Sequence, residues 1–295
     1  MWKHWNNPFG ESPCLVYVEN GKIVGLRTFL RWHWRANSRI LTAVRAVDTA
    51  THPNWQGKGL FSRLTTTLLE SMRSSETCFV FNTPNSSSLP GYLKMGWRIV
   101  TRVPLMIRPL RPFSMLWRSA VRSKSGRSNM EESWPSANTF QDCLDRILSD
   151  RAAGAGMHTV RSMDHFRWRY RQIPGIEYSA FADFREDQAA LIVGRERSRK
   201  HWQELSISEL LFTSQGMKSG IHVLQEMLSR TSADYAIAIA AKDTPEEAVL
   251  KKCGFYNIGK RGPVLTFLDL NECAPGMDLG NWSNWRCSIG DLEIF

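Results

Sequence analysis

The 295-residue sequence lacks the patterns that mark a metal site, a disulfide framework or a membrane span. Its six cysteines, Cys14, Cys78, Cys143, Cys253, Cys273 and Cys287, are scattered without a Cys-x-x-Cys pair, and its seven histidines form no His-Glu-x-x-His. No metal and no disulfide scaffold are expected, which suits a reducing compartment. No run of 18 or more apolar residues occurs, and Met1 to Pro8 hold no apolar stretch fit for a signal peptide. A soluble, cytoplasmic protein with no membrane partner is therefore expected. Two nucleotide motifs are missing as well: nothing matches Gly, four residues, then Gly-Lys-Ser/Thr, and Ser62 stands where a dinucleotide fingerprint needs its third glycine.

One charge sign is in excess: 38 Lys and Arg outnumber 28 Asp and Glu, for a formal net charge of +10. That favours anionic partners of any kind. A basic stretch around Arg118, Arg122, Lys124 and Arg127 raises nucleic acid as a partner, but no nucleic-acid motif accompanies it, so this partner is not expected.

What is present is a strand-to-helix turn built for an anion. Ile40 to Val47 is β-branched and alternating, as in a half-buried strand, and Leu60, Phe61, Leu64, Leu68 and Leu69 fall at helical spacing. Between them lies Gln56-Gly57-Lys58-Gly59, at the point where the first amides of the helix lack internal acceptors. The two glycines admit close approach of a ligand to the backbone, and Lys58 adds a cation at the positive end of the helix. Such a turn is a phosphate seat, or else a plain connection punctuated by glycine. About thirty residues on come a short strand, Phe79-Val80-Phe81, a polar loop from Asn82 to Ser88, and Tyr92-Leu93-Lys94-Met95-Gly96-Trp97, a helix end with Gly96 as its left-handed stop.

Gln-Gly-x-Gly after a strand, then Asn, a short helix containing Tyr and Lys-x-Gly-Trp, resembles the acyl-CoA-binding core of the GNAT acetyltransferase superfamily over residues 14 to 110. The resemblance implies that the strand ending at Val47 splays from its neighbour and offers its main chain to the pantetheine arm, as an added strand would. The donor, acetyl-CoA, is then bound by Val47, Gln56, Gly57, Lys58, Gly59, Leu60, Phe61 and Asn85, with the amides of 57 to 61 on the pyrophosphate. Direct attack of an amine on the thioester needs an oxyanion donor near Val47, a base and an acid. Tyr92 is the implied acid for the leaving thiolate, the alternative being a core tyrosine. Asp48 is the base candidate carried forward, beside His52, His33 and an ordered water chain. Asn85 either orients the pantetheine or caps a helix.

The chain reads as an α/β protein, a mixed sheet met twice. Trp2-Lys3-His4 with Pro8 answers Trp168-Arg169-Tyr170 with Pro174, Ile23-Val24-Gly25 answers Ile192-Val193-Gly194, and Lys94-Met95-Gly96-Trp97 answers Lys252-Cys253-Gly254-Phe255. Copy one is expected as strands 14–19, 22–34 and 40–50, helix 58–73, strand 78–82, helix 86–95 and strand 97–108, with Asn20-Gly21 as a hairpin turn. Copy two is expected as strands near 178–184, 189–200 and 204–213, helix 217–230, strand 235–240, helix 245–253 and strand 255–269. The boundaries expected are a first unit at 1–110, a Ser- and Pro-rich basic linker at 111–138, a degenerate second unit at 139–272 and an aromatic tail, 273–295, packed on a domain.

The second copy lacks the glycine spacing and the tyrosine, so one active site is expected, in the first half. The first copy begins at its Trp and Pro word, without the strand and helices that usually precede it, so it is expected to borrow a strand or to lack one. The function implied is acetyl transfer to a small amine, an amino sugar being one such acceptor. A non-catalytic CoA-binding scaffold is the alternative. On strand 26–35, Arg27, Arg31, His33 and Arg35 form a basic face, read as solvated or as meeting an acidic acceptor.

Overall fold

The computed structural model describes residues 2–112, 130, 133–150, 156–185, 187–271 and 276–292. In chain order the elements are α1 (Trp2–Trp5), β1 (Cys14–Glu19), β2 (Lys22–Ala36), β3 (Arg39–Thr51), α2 (Leu60–Arg73), β4 (Phe79–Asn82), α3 (Leu89–Lys94), β5 (Arg98–Arg102) and β6 (Met106–Pro109). They continue with α4 (Ala137–Asp150), β7 (Met157–Thr159), α5 (Met163–Phe166), β8 (Ser179–Arg185), β9 (Gln188–Arg199), β10 (Trp202–Phe212), α6 (Met217–Arg230), β11 (Tyr235–Ala238), α7 (Pro245–Lys252), β12 (Tyr256–Asn257), β13 (Val264–Asp269) and α8 (Ile289–Leu292).

Two sheets of one design result. The first runs β1-β2-β3-β4-β13-β5, and the second, read from its matching end, β8-β9-β10-β11-β6-β12. In each, two antiparallel pairings lead to a parallel pair joined by a crossover helix, α2 between β3 and β4 and α6 between β10 and β11. The Asn20-Gly21 turn has positive φ at both residues, 49° and 73°, the backbone that lets a two-residue hairpin follow the strand twist.

Sheet membership crosses the boundaries read from sequence. β13, from the second half of the chain, lies between β4 and β5, and β6, from the first half, lies between β11 and β12. The single strands expected at 97–108 and 255–269 are therefore each broken in two. The breaks meet: Val103 donates to Pro263 O at 2.9 Å, Leu105 to Gly259 O at 3.1 Å, Ile258 to Leu105 O at 2.9 Å and Gly262 to Val103 O at 2.9 Å. Pro104 and Pro263 have no amide to continue a ladder, and a Cβ on Gly262 would sit 2.7 Å from Val103 O. The exchanged strands carry core residues, since Leu265 and Phe267 are fully buried in the first unit and Met106 in the second. Burial of each is worth about 2 kcal/mol. The first unit also borrows β7, which pairs with β2 at Trp34–Ala36 beyond the reach of β1.

The repeated opening word meets itself across the join. Trp2 stacks on Trp168 with centroids 5.5 Å apart, and each indole N–H donates to the other's carbonyl, at 2.6 and 3.0 Å. The tail docks on the first sheet, where Trp285 is fully buried against Trp34, Phe79 and Phe81. Most of the 111–138 segment, including Arg118, Arg122, Lys124 and Arg127, lies outside the described residues. Among the described residues no helix is long and apolar enough to cross a membrane.

Candidate active site

β3 keeps β4 as a parallel neighbour only from Ala43 to Arg45; beyond that, to Thr51, it pairs with β2 alone, so the two parallel strands splay. The register with β2 skips one residue there: Thr28 faces Val47 and Arg27 faces Thr49, leaving Asp48 as the extra residue of a bulge, with φ of 21°. An unpaired strand edge next to a bulge is a slot for an extended ligand.

Past β3 the chain makes a short 3-10 turn at Pro53–Trp55 and enters α2 through Gly57 and Gly59, with φ of 73° and 76°. Open space surrounds both Cα atoms, so what requires glycine is the left-handed backbone and not a neighbour. Among the described residues, no acceptor is recorded for the amides of Gly57, Lys58, Gly59, Leu60, Phe61 and Ser62; the first helical donor is Arg63, to Gly59 O at 3.0 Å. Six donors at the entry to α2 are thus without a partner among the described residues. The Lys58 ammonium lies 5.1 Å over Trp55, and the Arg63 guanidinium 5.4 Å over Tyr17, so two cations and two aromatic rings flank the turn. Gln56 steadies it through a bond from Nε2 to Thr51 O at 3.3 Å.

Tyr92 sits at the other wall of the splay. Its ring is buried between Phe61 and Trp97, with centroids 5.4 and 5.1 Å away, and its hydroxyl oxygen accepts from Arg27 Nη2 at 2.8 Å. Arg27 Nη1 reaches Val47 O at 3.3 Å, so one guanidinium links the tyrosine hydroxyl to the bulge. Arginine has donors and no acceptor, which leaves the Tyr92 proton unspent in this contact. Arg27 is 1% exposed and lies over the rings of Phe29, Phe61 and Tyr92, and burial draws its pKa down from the usual arginine value. This corrects the basic face expected on β2: Arg31, His33 and Arg35 are half-buried, but Arg27 belongs to the core under α2 and α3. The signal in the sequence was Phe29, two residues on and on the same face.

The remaining candidates have structural partners. Asp48 accepts from Lys3 Nζ at 2.8 Å and pairs with His4 Nε2 at 2.8 Å; burial raises its pKa, but these two partners outweigh it and hold the carboxyl below its ordinary range. A carboxylate so held is a poor proton acceptor. Asn85 Oδ1 accepts from the amides of Ser87 and Ser88 at 3.0 and 2.9 Å, an Asx cap on the entry to α3. His52 caps the 3-10 turn by accepting from Asn54 N at 3.3 Å, and His33 packs on Phe9 with burial and Arg31 lowering its pKa. The roles of Lys3 and His4 were not legible in the sequence, because their partner is 44 residues or more away.

The profile of the acetyltransferase (GNAT) domain family matches residues 1–100, the stretch that holds the splay, the bulge, the glycine turn and Tyr92. No curated protein matches the chain. Among solved structures, a GCN5-related N-acetyltransferase from Kribbella flavida is similar over 88% of this chain and 60% of its own, at 14% identity and a TM-score of 0.56. A GCN5-related N-acetyltransferase from Anabaena variabilis gives 88% and 63%, at 13% identity and 0.59. N-myristoyltransferase from Saccharomyces cerevisiae, with bound myristoyl-CoA, is similar over all of this chain and 76% of its own, at 9% identity and 0.54. At these identities the likeness is one of fold, and the chain spans about three fifths of the length of the first two. The sheet of the matched region is completed by β13, beyond residues 1–100.

The second unit repeats the strand order of the first with different residues. Ile207 faces Gly194 and Glu209 faces Val193, which makes Ser208 its bulge residue. The bulges thereby align Gly194 with Thr28 and not with Gly25, so the shared Ile-Val-Gly word does not superpose. Each of those glycines instead sits under a helix: a Cβ on Gly25 would meet Leu60 at 2.8 Å, and one on Gly194 would meet Met227 Sδ at 2.8 Å.

Proposed function

We propose that the chain is an acyl-CoA N-acyltransferase that carries an acetyl group from acetyl-CoA to a primary amine, with its donor held in the first unit. The observation that carries this reading is the set of amides from Gly57 to Ser62, none with an acceptor among the described residues, beside a strand edge that has lost its neighbour. In this reading the amides of 57 to 61 bind the diphosphate at the positive end of α2, and Lys58 adds charge. The pantetheine arm lies along β3 past Arg45, which brings the thioester carbonyl to the bulge at Val47.

The amine nitrogen attacks that carbonyl, the C–N bond forms, and the oxyanion is met by main-chain N–H at the bulge. As the C–S bond breaks, the thiolate takes the Tyr92 proton, which Arg27 leaves free by donating to the phenol oxygen. The proton lost by the amine passes to water and restores the tyrosine. Asp48, held by Lys3 and His4, takes the part of fixing the bulge rather than accepting this proton. An amino sugar fits the acceptor class, as do other small amines.

The test is release of free CoA from acetyl-CoA over a panel of amines, with thermal stabilisation by acetyl-CoA measured alongside. Turnover with at least one amine and a concentration-dependent rise in Tm are expected. Stabilisation with no turnover on any amine would leave a CoA-binding scaffold, and neither effect would remove the donor site.

A further inference from the structure

The gap between diverging strands is open in the second unit. β10 keeps β11 as a neighbour only from Glu204 to Ser206, and past it lies a cavity of about 400 Å³. Ile207, Leu210 and Phe212 of β10 line it, with Ile239 and Ala240 after β11 and Leu250 of α7 opposite. β10 pairs with β9 along its other edge, so its main-chain groups on this side face the cavity.

The loop into α6 differs from the glycine turn of the first unit in one decisive way. Asp150, at the end of α4, accepts from both the backbone N–H and the hydroxyl of Ser214, the latter at 2.9 Å. A carboxylate therefore occupies the approach to the helix N-terminus where a diphosphate would bind. The turn is also closed: Gly216 N is spent on Thr213 O at 2.8 Å, and a Cβ on Gly216 would sit 2.6 Å from Thr213 Oγ1 and 2.7 Å from Ala189 O.

Of the other charged residues that line the cavity, Arg161 pairs with Glu209 at 2.9 Å and with Asp291, behind the lining, at 3.4 Å, and Arg286 pairs with Glu246 at 3.3 Å. Asp150, at the exposed rim, has the hydroxyl and amide donors of Ser214 and no ion-pair partner among the described residues.

We propose that this cavity binds an organic amine, its ammonium on the Asp150 carboxylate and its apolar body between Leu210, Phe212 and Leu250, and that coenzyme A does not enter. The site stands whether or not the first unit transfers acyl groups. Calorimetric titration of the full chain at about pH 7, where an alkylamine is charged, tests it with n-octylamine, octanoate and octan-1-ol as probes, the wild type beside Asp150→Asn and Ala240→Phe. One octylamine is expected to bind per chain, at least about tenfold more tightly than octanoate, because the carboxylate attracts one head group and repels the other. Asp150→Asn should remove most of that preference and leave octanol unchanged, and Ala240→Phe should weaken all three. Equal affinity for octylamine and octanoate, an unchanged preference in Asp150→Asn, or displacement of octylamine by free CoA would overturn the proposal. Asp150 is exposed, so its variant keeps the test valid should the cavity-filling variant fail to fold.

Discussion

The two units place the same word at the same spot and use it differently. In the first, His4 pairs with Asp48, the bulge residue of β3; in the second, Tyr170, which answers His4 in the repeat, donates to Glu209 Oε1 at 2.6 Å beside the bulge of β10. The first pair is partly exposed, whereas Tyr170 and Glu209 are buried with Arg161 and Asp291. The strand gap of the first unit is bordered by Arg27 and Tyr92 and its helix entry is free of acids; the gap of the second is a cavity and its helix entry carries Asp150. One topology thus leaves the turn amides of one copy without an acid beside them and sets the Asp150 carboxylate at the turn of the other. The residues that decide this are few and lie in loops and at bulges, while the cores that position them are alike.

The largest effect is expected from separating the units. A chain of residues 1–110 lacks β13, whose Leu265 and Phe267 are fully buried between β4 and β5, and leaves β6 with no sheet. It should fail to reach a folded state, with no cooperative transition by circular dichroism, whereas the full chain should unfold in one. A stable folded fragment would show that the exchanged strands contribute little.

Next in size, Tyr92→Phe should lower kcat by about 100-fold to 10,000-fold, the range of general acid catalysis, with donor KM nearly unchanged. Equal loss through KM would make Tyr92 a packing residue. Gly59→Val should weaken acetyl-CoA binding by about tenfold or more, since a β-branched residue at φ of 76° costs about 1–2 kcal/mol or turns the amides away. Ser214→Ala, in the closed turn of the second unit, should leave coenzyme affinity unchanged.

A smaller, pH-dependent effect separates the buried join from the open site. Both ring nitrogens of His165 are buried with no hydrogen-bond partner among the described residues, and burial first, then Arg161 and Arg169, hold its pKa well below the ordinary value. The unfolded chain takes up a proton at this residue below about pH 6.5 and the folded chain does not, so stability falls as pH drops, by up to about 1.4 kcal/mol per pH unit. His165→Phe should flatten the loss of Tm between about pH 6.5 and 5. An unchanged slope would place the acid sensitivity elsewhere.

Much of this was legible in the sequence because it is local. The alternation of Ile40 to Val47, the helical spacing from Leu60 to Leu69 and the Asn20-Gly21 pair fix elements through neighbours a few residues away, and the glycine turn declares its own backbone. What was not legible depends on partners far along the chain. The strand exchange joins residues about 160 apart, and periodicity on either side of Pro104 reads as one strand whichever sheet receives it. Arg27 reads as one more cation of an alternating face until Tyr92 and Val47 are brought to it, and Asp48 reads as a free base until Lys3 and His4 are. The second copy reads as eroded because its motif is gone, yet loss of a motif does not close a cavity.

In the proposed enzyme, backbone amides of the first unit, and not of the second, hold the donor's diphosphate. Amide-resolved NMR of the labelled full chain titrated with acetyl-CoA tests it most directly. The largest shifts are expected at Gly57, Lys58, Gly59, Leu60 and Phe61, with Gly216 to Ser219 unmoved. Shifts centred on Gly216 to Ser219, or none at the glycine turn at saturating donor, would contradict the account.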